Sequence, residues 1–164
     1  MKKMRKGFTL LELLVVIGVI GIMSSTAMIA GQQATDAARA TNIADSLEKA
    51  ASAMMMYYSD NADDIAVNGV VETDVVEGAN AYLKKTAQLV DSNTQDYAGK
   101  YIVYIDGVAP AQTWWIIYTL PANDLAGIGP IMKNKAERMG LKKYTTSTTN
   151  DYDGTTVEIY MQVR

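Results

Sequence analysis

What most limits the fold of this chain is its first thirty residues. Between Phe8 and Ala30 the only charged side chain is Glu12, and residues 13–23 contain no polar side chain. As a helix, residues 8–30 reach roughly 35 Å, enough to cross a hydrocarbon layer ~30 Å thick. Lys2, Lys3, Arg5 and Lys6 precede the segment. Such a basic flank stays on the cytoplasmic side of a bilayer, and the chain that follows is exported.

Three readings compete. In a secretory signal the apolar stretch is removed, with Ser25, Thr26 and Ala27 as the small-residue cleavage site. In a plain signal anchor it stays uncut. In the third, cleavage falls at Gly7 and the apolar segment remains on the mature protein. Glu12 separates them. A carboxylate in an inserting segment costs about 2.5–3.5 kcal/mol on insertion scales, and neither a signal nor an anchor needs one. A charge kept inside a membrane segment calls for a function and a partner.

Residues 6–13, Lys-Gly-Phe-Thr-Leu-Leu-Glu-Leu, resemble the prepilin cleavage and methylation site of type IV pilins and related pseudopilins. The resemblance implies cleavage between Gly7 and Phe8 by a membrane prepilin peptidase, with Lys6 in the recognition sequence. It further implies N-methylation of Phe8 and a registering role for Glu12, the fifth mature residue. Gly21 matches the family's helix glycine. Many type IVa pilins have a proline about eight residues later, where this chain has Ile29. Helix flexibility would then rest on Gly18, Gly21 and the Ser24–Thr26 run. The implied partners are identical or related pilin subunits in a helical homopolymer, and an inner-membrane assembly platform. The implied localisation is the cytoplasmic membrane, then an extracellular filament. The implied roles are adhesion, twitching motility or DNA uptake. The alternative is a pseudopilin of a type II secretion system.

Cleavage would also supply a partner for Glu12. It creates an α-amino group on Phe8, with an ordinary pKa near ~7.7–8.0. In a layer of low dielectric, ammonium and carboxylate each lower the other's burial cost. A subunit arriving with Phe8 near a neighbour's Glu12 is favoured over one out of register.

Composition narrows the chemistry. The 164 residues include no cysteine and no histidine. That excludes disulfides, thiolate metal sites, a cysteine nucleophile and a Ser-His-Asp triad. The usual acid–base residue at neutral pH is missing too. Carboxylates and lysines remain, but the reading is not an enzyme, and no cofactor is expected. The net charge of −3 is a sum over two pieces. Losing residues 1–7 lowers the basic count from fifteen to eleven against eighteen acidic residues, leaving −7.

Beyond the apolar segment, Ala37, Ala40, Ala44, Leu47, Ala51, Met54 and Tyr58 recur at alternating spacings of three and four. That is one face of an amphipathic helix. Asp36, Arg39, Asn42, Asp45, Lys49 and Ser52 take the other face, with Asp36–Arg39 and Asp45–Lys49 at pairing distance along it. The helix is expected from residue 8 to about 58, roughly 75 Å. Four segments follow: leader 1–7, apolar helix 8–30, amphipathic continuation 31–59 and a head over 60–164.

In the head, residues 78–90 read as a short helix, and residues 100–105, 113–120 and 155–163 as strands. Asp106-Gly107 marks a hairpin. Pro130 suits the first turn of a helix that ends near Met139, with Gly140 just past it. The fold class is therefore α+β, a long spine helix packed on a small antiparallel sheet of three or four strands, an order that resembles the pilin fold. Trp114 and Trp115 are both assigned to the core.

Other candidates have plainer readings. Asp60–Asp64 and Asp151/Asp153 offer oxygen ligands for calcium or a carboxylate pair for catalysis, but lack the EF-hand spacing. Solvated turns account for them, and no metal site is assigned. Lys133, Lys135, Arg138, Lys142 and Lys143 could touch nucleic acid. A mature charge of −7 repels polyanions, so no nucleic-acid partner is expected.

Overall fold

The computed structural model describes residues 8–83, 88–93, 97–108, 110–145 and 148–164. The chain forms two compact units, Met1–Thr35 and Asp36–Arg164. Helix α1, Leu10–Asp60, is 51 residues long and belongs to both.

Within the first unit every described side chain from Phe8 to Thr35 is exposed. Several hydroxyls in this stretch bond the helix's own carbonyls. Ser25 Oγ donates to Gly21 O and Ile22 O at 3.0 and 2.9 Å, and Thr26 Oγ1 donates to Met23 O at 2.9 Å. Back-bonding of this kind pairs these two hydroxyls without help from water.

In the second unit α1 buries Ala40, Ile43, Ala44, Leu47, Ala50, Ala53 and Met54. The stripe is wider than the expected seam: Ile43, Ala50 and Ala53 join it, and Ala37 stays outside. Arg39 ignores its helical neighbour and bonds Asp124 at 3.0 Å, fastening the helix to a distant loop.

The rest of the head comprises α2 (Ala62–Asn68), α3 (Glu72–Asn80), β1 (Leu89–Val90), β2 (Tyr101–Asp106), β3 (Thr113–Thr119), α4 (Leu125–Met139), β4 (Leu141–Thr145), β5 (Thr148–Asp151) and β6 (Glu158–Gln162). One six-stranded sheet has the order β1-β2-β3-β6-β4-β5. It is larger than the three or four strands expected, and it is mixed rather than antiparallel, because β1 pairs with β2 in parallel. The extra strands are short, and β4 and β5 are mostly polar, so they carry little alternation to read.

Two helices also depart from expectation. The helix expected over residues 78–90 is replaced, among the described residues, by the end of α3 at Asn80 and the strand Leu89–Val90. The Asn80 side chain explains the switch. Its Nδ2 donates to Leu89 O at 3.0 Å and its Oδ1 accepts from Leu89 N at 2.8 Å, so an amide stands in for a neighbouring strand. Helix α4 starts at Leu125, which places Pro130 inside it rather than near its first turn. Gly140 ends that helix in the left-handed region, φ 65°, with its N–H on Ala136 O, as expected.

The core gathers the inward residues of β3 (Trp114, Ile116, Tyr118) with Leu47 and Met54 of α1 and Ile128 and Met132 of α4. Fully burying each large aliphatic side chain contributes about 1.5–3 kcal/mol. Trp114 is fully buried, and the Tyr58 ring meets it edge-on at 5.5 Å. The Arg164 guanidinium lies 4.2 Å over the other side of the contact, on the Tyr58 ring. Trp115 is not core: alternation turns it to the opposite sheet face, where it is half-buried. Burial pushes the Tyr152 hydroxyl up to about 12, so it remains a donor to Thr156 O at 2.8 Å.

Lacking a disulfide, the head is pinned by polar side chains that bind backbone. Glu72 accepts from Ser92 N at 3.2 Å and from Ile105 N at 3.1 Å, covering β2 beyond its short pairing with β1. The Gln112 amide accepts from Val70 N and donates to Val70 O, both at 3.0 Å. Gly129 and Gly154 meet backbone to backbone: a Cβ on Gly129 would lie 2.6 Å from Gly154 O. Gly129→Ala is therefore expected to destabilise the head by about 1–3 kcal/mol. Thermal melting of the full chain in detergent should show a lower transition temperature. Val67→Ala, at a side chain left 77% exposed, should barely move it.

Candidate functional site

The expected site is the start of α1. Lys6 and Gly7 lie outside the described residues. Phe8 is 84% exposed just before the helix. Leu13 N donates to Thr9 O at 3.2 Å, so Thr9 supplies the carbonyl for the first helical bond and is the N-cap.

Glu12 is built into that cap. Its Oε2 accepts from Thr9 N and Thr9 Oγ1, both at 2.9 Å, while Glu12 N donates to Thr9 Oγ1 at 3.2 Å. This reciprocal arrangement is a capping box. It has two consequences. Donors at the helix start are paired within the chain, which would lower the cost of placing the carboxylate in an apolar layer. Two hydrogen bonds to Oε2 also fix the carboxylate near Phe8 and the positive end of the helix. Only Oε2 takes part in the box, so Oε1 remains able to accept from an outside donor. Thr9 is a site residue that the reading of Glu12 alone misses. The signal was present: a threonine three residues before a glutamate, opening an apolar run.

Gly18 and Gly21 sit inside α1 without interrupting it, and a Cβ built on either meets no atom within 4 Å. The apolar side chains around them are displayed on every side of the helix. Phe8, Leu10, Leu11, Ile22 and Met28 each expose more than two thirds of their surface. The span meets the length and hydropathy of a membrane-crossing helix, with a mean hydropathy of 2.4 over its best window.

The other candidates resolve into ion pairs. Lys142 Nζ is 2.6 Å from Asp151 Oδ1, and Lys143 pairs with Asp153. The carboxylates of the Asp151–Gly154 turn and two of the five basic residues thus engage each other. Among the described residues, no three Asp or Glu side chains converge as a metal cluster would. Asp60 accepts from the Tyr82 hydroxyl at 2.6 Å.

Comparison with known proteins bears on the N-terminal segment. Residues 2–28 match the model of the prokaryotic N-terminal methylation motif. That motif is the class III prepilin signal of type IV pilins and pseudopilins. No curated protein and no solved structure matched the chain.

Thr9→Val should remove the hydroxyl from the box and weaken the helix start by about 1 kcal/mol. Faster amide hydrogen exchange at residues 10–13 of the full chain in micelles would register it. The Lys143 ammonium, with the Thr155 hydroxyl and N–H, holds the Asp153 carboxyl well below the usual carboxylate range. A depressed folded value adds stability above the ordinary value near ~3.9, and loses it as pH falls through the folded one. Lys143→Met should therefore raise the Asp153 midpoint toward the ordinary value in a carboxyl NMR titration.

Proposed function

We propose that this chain is a structural subunit of a type IV pilus-like filament, cut after Gly7, methylated on Phe8 and assembled through its apolar N-terminal helix. The observation that carries the reading is the methylation motif at residues 2–28, on a helix whose described N-terminal side chains are all exposed. The mature subunit performs no chemistry of its own. It is the substrate of a prepilin peptidase, then waits in the cytoplasmic membrane with residues 8–30 in lipid.

Extraction from lipid is feasible because the same side chains are reburied against the apolar helices of neighbouring subunits. The transfer runs between two apolar media and exposes little surface to water. Glu12 sets the register. Oriented by Thr9, its remaining oxygen receives the Phe8 ammonium of an adjacent subunit, and each charge removes the burial cost of the other. Gly18 and Gly21 are the points where the helix loosens on leaving the membrane, since glycine costs about 1 kcal/mol relative to alanine in a helix interior. Adhesion, twitching motility and DNA uptake are the roles such a filament serves. A type II secretion pseudopilus would use the same processing and the same helix.

The test is coexpression of the full chain with a prepilin peptidase and assembly platform, followed by recovery of sheared filaments. Glu12→Ala should cut filament yield about a hundredfold or more, the scale expected when a buried ion pair loses one partner. Glu12→Asp should recover part of it. Wild-type yield from Glu12→Ala would remove the registering role.

A further inference from the structure

The outward face of the sheet holds a feature that the assembly helix does not use. Trp115 of β3, Tyr104 of β2, Tyr160 of β6 and Tyr144 of β4 line a groove of about 310 Å3 with Ile117 and Asp106. Tyr104 pairs with Trp115 across the β2–β3 ladder, so the two side chains stand side by side on one face. The Tyr144 and Tyr160 rings lie 6.0 Å apart at 39°, forming the opposite wall. Tyr104 and Tyr144 remain 41% and 59% exposed. The lining includes one carboxylate and no basic side chain. Lys142, which pairs with Tyr160 across the ladder, has its ammonium on Asp151.

Aromatic faces carry negative electrostatic potential, and the Asp106 carboxylate adds to it. Such a groove selects a cation, and guanidinium is the cation that stacks best on aromatic rings. The chain itself presents candidates. Lys135 and Arg138 lie three residues apart on α4, so they share a face of that helix, and neither forms an ion pair with a described residue. They cannot reach the groove of their own subunit. Helix α4 buries Ile128, Met132 and Ala136 in the core, which the inward residues of β3 also enter, whereas the groove opens on the other face of the sheet.

We propose that the groove receives Arg138, flanked by Lys135, from α4 of a second copy of this chain. Two different surfaces then meet. A contact of that kind is heterologous and repeats from subunit to subunit, and in a filament, where the rotation does not close, it runs on as an open helix. It supplies a head-to-head link beside the apolar helix contacts and directs successive heads into one orientation. The inference rests on the filament reading above, since a groove and a knob on opposite sides of one head bind repeatedly only in a polymer.

The test uses filaments of the full chain with benzoylphenylalanine in place of Tyr144, grown from mixed light and 15N-labelled subunits. Photolysis should join residue 144 of one subunit to the α4 peptide containing Arg138 of another, read as light–heavy adducts by mass spectrometry. Arg138→Glu and Asp106→Arg should each lower filament yield about tenfold, and the double exchange should restore most of it. That loss is the size expected for a cation–π contact with a desolvated ion pair. Adducts confined to other segments, or a double exchange no better than either single variant, would overturn the groove assignment alone. Filaments untouched by Arg138→Glu, with a surface glycan captured through Trp115, would overturn it in favour of a sugar ligand. Failure of the wild-type chain to polymerise would overturn the filament reading, and the groove assignment with it.

Discussion

Everything in this molecule answers to one requirement: an apolar helical segment carrying a single carboxylate needs a surrounding that tolerates both. No described side chain from Phe8 to Thr35 is buried within the subunit. Lipid satisfies the aliphatic side chains, and so do the helices of other subunits. Neither satisfies a lone carboxylate. The Thr9–Glu12 box meets part of that demand inside the chain by turning the charge onto the helix's own donors. The oxygen left over is suited to a cation brought by a neighbour. In the proposed filament the same residue would steady the helix start in lipid and leave one oxygen for a neighbour.

The proposed filament role asks for a head that does not open when the subunit leaves the membrane. With no cysteine available, this one relies on packing and on side chains that act as backbone. Glu72, Asn80 and Gln112 reach across to strand or loop amides and complete ladders that the short strands leave unfinished. Each such bond nets about 1 kcal/mol, but a buried amide left unpaired would cost more, which is why they cluster where β1 ends. The close approach of Gly129 and Gly154 then locks α4 to the turn before β6.

Much of this was legible in the residues themselves. The apolar run, the glutamate within it and the Gly-Phe junction point to the processing signal, the glutamate most of all because a lone carboxylate in an apolar segment is costly. The 3-4 spacing gives α1, and alternation around Trp114 gives β3, since long periodic elements repeat their signal many times. What could not be read is short or polar. Strands β4 and β5 are lysine- and threonine-rich, and β1 has two residues whose pairing depends on Asn80, nine positions away. Pro130 looked like a helix start because proline is common there; the structure carries the helix one turn further back. Trp115 was expected in the core with Trp114; alternation turns it to the other sheet face, where it is only half-buried. The capping role of Thr9 was written in the sequence, and was hidden by attention to the charge of Glu12.

The central claim is that the apolar helix stays on the mature protein and begins at a modified Phe8. Intact-mass and N-terminal peptide analysis of the chain recovered from membranes of a peptidase-bearing host tests it most directly. The account predicts a mature chain that starts at Phe8 and carries a methyl group on its α-amine. A chain starting at Met28, or one retaining residues 1–7, would contradict it.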